Sequence, residues 1–169
     1  MIAAQTSINS QRLRTGRLTD EDWERFVHAT GILSDAPIYI DDTPGLSIAE
    51  MRTKARRLHA EQGIDLMIVD YLQLMRSEGR SENRVQEISE ISRSLKQLGR
   101  ELHIPIIGIS QLSRAVENRP GNIPQLSDLR ESGSIEQDAD VVLMLYREDY
   151  YEEDSDRPGV TDVYIRKHR

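Results

Sequence analysis

The 169-residue sequence contains no cysteine. That excludes a disulfide scaffold, a thiolate zinc site and a cysteine nucleophile. Histidine is scarce: His28, His59, His103 and His168 are widely separated and form no ligand cluster. Aromatic residues are 5% of the chain. No apolar run approaches the roughly 20 residues that cross a bilayer. The opening MIAAQTSINSQRLRTG has no basic stretch followed by an apolar one, which argues against a secretory signal and against a membrane partner. Positive charge is in deficit, with 22 Lys and Arg against 29 Asp and Glu, a net charge of −7. Such a balance argues against a general nucleic-acid coat or a polybasic membrane binder. The deficit is local, however. Glu148, Asp149, Glu152, Glu153, Asp154 and Asp156 lie in one short run, and without them the net charge would be −1.

What is present is an alternation of helical periodicity and short apolar runs. The length suits one ordinary domain, able to bury roughly two thirds of its unfolded surface. Thr19, with Asp22 three residues on, predicts a capped helix whose apolar face is Trp23, Phe26 and Val27. Pro37 to Ile40 reads as a short strand. Ser47 and Glu50 form a capping box, Ile48, Met51, Ala55 and Leu58 follow at helical spacing, and Gly63 ends that helix. Leu66 to Val69 is continuously apolar, the pattern of a strand buried on both faces. A polar loop at Arg76 to Arg80 leads into a long helix from Ser81 to Leu102, with an apolar stripe from Val85 to Leu102. Pro105 to Ile109 and Val141 to Tyr146 read as two further buried strands, and Val160 to Arg169 begins as another. The acidic run between them reads as a turn or a mobile insertion.

Strand and helix in alternation imply a mostly parallel sheet flanked by helices. Ligands in such sheets bind beyond the carboxyl ends of the strands, after Val69, Ile109 and Tyr146. Asp70 follows Val69 directly. In nucleotide hydrolases a carboxylate placed there holds magnesium, usually through water; elsewhere the same pattern is a strand ending in a turn. Gln111 ends the second strand, where an amide can donate to a phosphate oxygen or orient a water; the alternative is a loop amide bonded to backbone. Lys167 and Arg169 fall on one face of the last strand, a pair suited either to a terminal phosphate or to a basic sheet edge. In Leu129 to Ser134, Arg130 and backbone amides could hold a phosphodiester, Glu131 could position Arg130, and Gly133 permits close backbone approach; an ordinary loop with an internal ion pair is the other reading. No G-x-x-x-x-G-K-S/T loop occurs in the chain.

Four stretches carry a closer likeness: IDDTPGLSIAEMRTKARRL, IDLMIVDYLQLM, PIIGISQLSRAVENRP and LSDLRESGSIEQDADVVLMLYR, followed by KHR. In this order they resemble the RecA-like motor domain of the bacterial replicative DNA helicases, the DnaB family. The resemblance covers essentially the whole chain. It implies an α/β RecA-like fold, with residues 1–169 part of a single motor domain that lacks the phosphate-loop strand and helix and the catalytic Glu after them. It implies ATP and magnesium as cofactors, with Asp70 organising the metal and Gln111 sensing the γ-phosphate. Lys167 and Arg169 match the pair that reaches a neighbouring subunit's nucleotide, Arg169 as the arginine finger. Arg130, Glu131 and Gly133 match the loop that holds single-stranded DNA. The implied partners are DNA, a homo-hexameric ring, and a helicase loader and primase; the implied location is the bacterial cytoplasm, at replication forks. The chain by itself is expected to be inactive. Two other readings stand beside this one: a different RecA-like ATPase, such as a recombinase or phage-type primase-helicase, and a non-catalytic docking module for a loader.

Overall fold

The computed structural model describes residues 1–77 and 83–169, with backbone alone at 130–132. The expected polar loop at Arg76 to Arg80 and the expected helix start at Ser81 therefore lie partly outside the described residues. The chain divides into two units, Met1–Asp42 and Thr43–Arg169.

The first unit is helical: α1 (Ile2–Thr6), α2 (Ser10–Thr15) and α3 (Asp20–Asp35). Asn9 accepts from the Gln11 amide to start α2, and Gly16, at φ 68°, closes it in the left-handed region that glycine tolerates best. The expected capping box opens α3, with Thr19 and Asp22 each accepting from the other's backbone amide. Asp22 is buried and also pairs with Arg12 and Arg25, joining α2 to the first turn of α3. The Thr19 amide holds the Asp22 carboxyl below its ordinary range, and the two arginines add to this.

Two expectations fail in this unit. Trp23 and Val27 are exposed, while Ala29 is the buried apolar residue of α3. Pro37 to Ile40 is not a strand, and Ile38, Tyr39 and Ile40 are exposed. Strand propensity needs a neighbouring strand to become a ladder, and this unit has none among its described residues.

The second unit comprises α4 (Ile48–Gln62), β1 (Met67–Val69), α5 (Arg84–Leu102), β2 (Ile106–Gly108), α6 (Gly133–Asp138), β3 (Val141–Tyr146) and β4 (Asp162–His168). The Ser47–Glu50 capping box starts α4 and Gly63, at φ 70°, ends it. β1 and β2 pair in parallel, Ile68 opposite Ile107. β3 and β4 pair antiparallel, with an irregularity between Val142 and Leu143. The main core is the face of α4 (Ile48, Met51, Ala55) against the stripe of α5 (Ile88, Ile91, Leu95, Leu98, Leu102), closed by Leu72, Met75 and Ile104. Fully burying each of these Leu, Ile and Met side chains stabilises the fold by about 2 kcal/mol. A smaller cluster gathers Leu129, Val142 and Met144.

The strands are not buried on both faces. Met67, Val69 and Ile106 pack on the core, but Leu66, Ile68 and Ile107 are exposed. In β3, Val142 and Met144 are buried while Val141, Leu143 and Leu145 are exposed. Helical cover lies on one face among the described residues, so burial alternates where the sequence does not. Leu129 to Ser134, for which one reading is an ordinary loop, belongs instead to a 3-10 segment, Leu126–Ser132, kinked at Leu129 and running into α6; at its start the Asp128 carboxylate accepts from the Gln125 amide. The acidic run is a pinned turn. Arg147 pairs with Asp149, the Gly159 amide donates to Asp149, and Arg157 pairs with Asp162.

Candidate functional site

The two parallel strands end together. Beyond the last paired residues, the Ile109 amide donates to the Val69 carbonyl at 2.9 Å, and the Leu72 amide donates to the Ile109 carbonyl at 2.9 Å. Asp70 lies between these two links and is exposed. The chain then turns through a short 3-10 segment, Leu72–Leu74, whose middle residue is Gln73. The Gln73 amide group donates to Ser110 Oγ at 3.0 Å and to the Gln111 carbonyl at 3.3 Å, and accepts from the Gln111 amide at 3.3 Å. The tips carrying Asp70 and Gln111 are thus tied by main chain and by one side chain. The close approach depends on Gly108, where a Cβ would sit 3.2 Å from Leu72 Cδ2.

The third tip is filled differently. Arg147 is engaged by Asp149, and the ring of Tyr146 stacks on Tyr151 at 5.8 Å. The stretch after Gln111 leads toward the other predicted residues. The Ser113 amide donates to the Asp128 carbonyl at 3.0 Å. The Asp128 carboxylate, buried, takes both guanidinium nitrogens of Arg119, at 2.8 and 2.9 Å, and the Gln125 amide at 2.7 Å. Arg119 holds that carboxyl below its ordinary range. Arg130 and Glu131 follow, and their side chains lie outside the described residues. Gly133 has ordinary helical torsions, φ −52° and ψ −23°, and a Cβ there would meet nothing within 4 Å. No turn in this chain demands glycine there.

The register shift between Val142 and Leu143 falls at Arg166, so Lys167 and His168 follow it in unbroken register with Val142 and Val141. The Lys167 ammonium donates to the Glu136 and Gln137 carbonyls at the end of α6, where a cation suits the helix dipole. Arg169 is exposed, with its amide donating to the Asp140 carbonyl at 3.0 Å. The Asp140 carboxyl is held below its ordinary range first by Lys96 and also by Arg169 and Arg100. Just before Lys167, Arg166 stacks over the Tyr164 ring at 4.4 Å and donates to the Pro124 carbonyl at 3.1 Å.

The model of one family, the DnaB-like helicase C-terminal domain, matches residues 1–169. The chain belongs to this family. It is 55% identical over 170 residues to the replicative DNA helicase DnaB of Geobacillus stearothermophilus, and 53% identical over 170 residues to the replicative DNA helicase DnaC of Bacillus subtilis (strain 168). All of the chain is covered in both matches, and it spans 37% of the length of each relative. Among solved structures, a DnaB-like replicative helicase studied for its interactions with primase superposes with a TM-score of 0.93 at 41% identity, covering 99% of this chain and 41% of that one. The expected α/β, RecA-like class holds for this DnaB-like chain.

The strand tips suit a nucleotide's magnesium in kind. Magnesium keeps most of its waters and takes one or two carboxylates together with phosphate oxygens. An exposed carboxylate at a strand end, beside an amide-bearing loop, offers that. No group of three or more His, Asp or Glu forms a metal cage among the described residues. Gln73 escapes a sequence reading. Its only signal is a lone amide three residues after Asp70, and its role depends on the β1–β2 register. Asp128 and Arg119 escape for the same reason, being paired across nine residues of irregular chain.

Proposed function

We propose that residues 1–169 are part of one motor domain of a hexameric, ATP-driven replicative helicase that translocates on single-stranded DNA. The observation that carries this reading is the tying of the Asp70 tip to the Gln111 tip at the carboxyl ends of paired parallel strands, in a chain of the DnaB-like family. Asp70 would accept hydrogen bonds from the metal's water shell. Gln111 would donate its side-chain amide to the terminal phosphate. Bound magnesium would neutralise charge that builds on the phosphates. Arg169 would act across a subunit boundary, where a guanidinium stabilises the transferring group. Lys167 of β4 would act beside it as the second cation of that pair, with the α6 carbonyls of Glu136 and Gln137 as its holding point. Primase and a loader are partners of the whole protein in this reading, and the site of action is the cytoplasm.

Arg130, Glu131 and Gly133 would face DNA, Arg130 through a phosphate, Glu131 by orienting Arg130, and Gly133 by leaving room for the backbone. In the full-length protein, Arg130→Ala should weaken single-strand binding about equally for all sequences and reduce the salt slope by about 1. Unchanged affinity and slope, measured by fluorescence anisotropy at several salt concentrations, would reject the DNA role. The 169 residues alone carry no phosphate loop and should not turn over ATP. Turnover by the purified chain that Asp70→Ala abolishes would overturn that expectation.

A further inference from the structure

We propose that Gln73 is a positioning residue that holds Gln111 in place for the nucleotide's terminal phosphate; this rests on the role given to Gln111 above. The geometry is specific. The Gln73 amide group meets both backbone polar groups of Gln111, accepting from its N–H and donating to its C=O, as a paired strand would. Its second donated bond reaches Ser110 Oγ. Pairing of β1 with β2 stops at Gly108, so the Gln111 backbone lies past the ladder. The Gln73 side chain extends the ladder's function to Gln111, three residues past Gly108.

Gln73 is itself anchored. Its backbone carbonyl accepts from Arg84 at the start of α5, and Arg84 pairs with Glu87 at 2.6 Å. Its neighbour Leu72 is buried under Gly108 and bonded to Ile109. The tether therefore runs from a fixed turn to an unpaired tip, three residues after the carboxylate that would organise the metal. Moving a reacting partner by about 1 Å can cost about 100-fold in rate. A side chain that fixes the Gln111 backbone relative to the Asp70 turn sets that distance without touching nucleotide.

The test uses the full-length protein with Gln73→Ala, Gln111→Ala and the double variant. The first readout needs no nucleotide: hydrogen exchange of the Gln111 amide, which should accelerate in Gln73→Ala while the α5 core amides stay protected. The second is steady-state ATP hydrolysis. Gln73→Ala should lower kcat by about 10- to 100-fold with little change in KM, as misplacement of a catalytic group does. The double variant should be no slower than Gln111→Ala, because Gln73 acts through Gln111. Gln73→Glu, which keeps the acceptor and loses both donated bonds, should fall between wild type and Gln73→Ala. Unchanged exchange at Gln111, or losses that multiply in the double variant, would overturn the proposal. Wild-type turnover by Gln111→Ala would instead overturn the role of Gln111 itself.

Discussion

At Gly108 a missing side chain decides how closely two loops approach. A methyl group there would press on Leu72 at 3.2 to 3.4 Å, and Leu72 is buried beneath the Asp70 turn. Gly108→Ala should destabilise the fold by about 1 kcal/mol through overpacking. The cost should shrink in a Leu72→Ala background, because the clash is then gone. Denaturant unfolding of the four proteins in this cycle checks it, and an equal cost in both backgrounds contradicts the contact. The same close approach brings Gln73 within reach of Gln111. Asp70 and Gln111 were legible as strand-end residues because an apolar run followed by a polar residue is visible in a linear sequence. Gln73 was not legible, since its partners are 37 and 38 residues away and are fixed only by register.

Among elements, the α4–α5 pair combines an apolar seam with a charged clasp. Glu101 on α5 accepts from Arg56 and, at 3.1 Å, from Arg52 on α4. The Arg56 hydrogen bond is the largest cause that brings the Glu101 carboxyl from 4.5 down to about 2. The folded group stays ionised at pH values where the unfolded one takes up a proton. Its contribution to stability is therefore present above about pH 4.5 and is lost as pH falls toward 2. Glu101→Gln should flatten the stability profile across that window, as followed by circular dichroism melts at stepped pH. An acid limb as steep as the wild type's would refute the clasp. The helices themselves are well marked in the sequence: both capping boxes, the closing Gly63 and the α5 stripe from Ile88 to Leu102 stand where spacing placed them, while Val85, expected in that stripe, is exposed. The strands were less legible. A continuous apolar run such as Leu66 to Val69 carries no alternation, so it cannot tell one covered face from two. The helical turn at Leu129 to Ser134 is hidden for a related reason, because Asp128 at its start is joined both to the Gln125 amide and, across nine residues, to Arg119.

For the whole molecule, the charge of −7 says little about DNA. The excess acid is gathered in the β3–β4 turn, where Arg147 and Arg157 engage Asp149 and Asp162. The tied strand tips stand on a different connection. In the proposed hexamer a ring would multiply few DNA contacts per subunit, so a basic surface would not be required. The proposed motor role requires the Asp70 tip to be a nucleotide site. The most direct measurement is magnesium-dependent ATP turnover by the full-length protein carrying Asp70→Ala, beside the wild type, with oligomeric state followed by mass photometry. The expected result is a loss of about 100-fold or more, the scale of removing one electrostatic group from a phosphoryl-transfer site, with assembly unchanged. Turnover within about twofold of the wild type, a difference worth only about 0.4 kcal/mol, would contradict it.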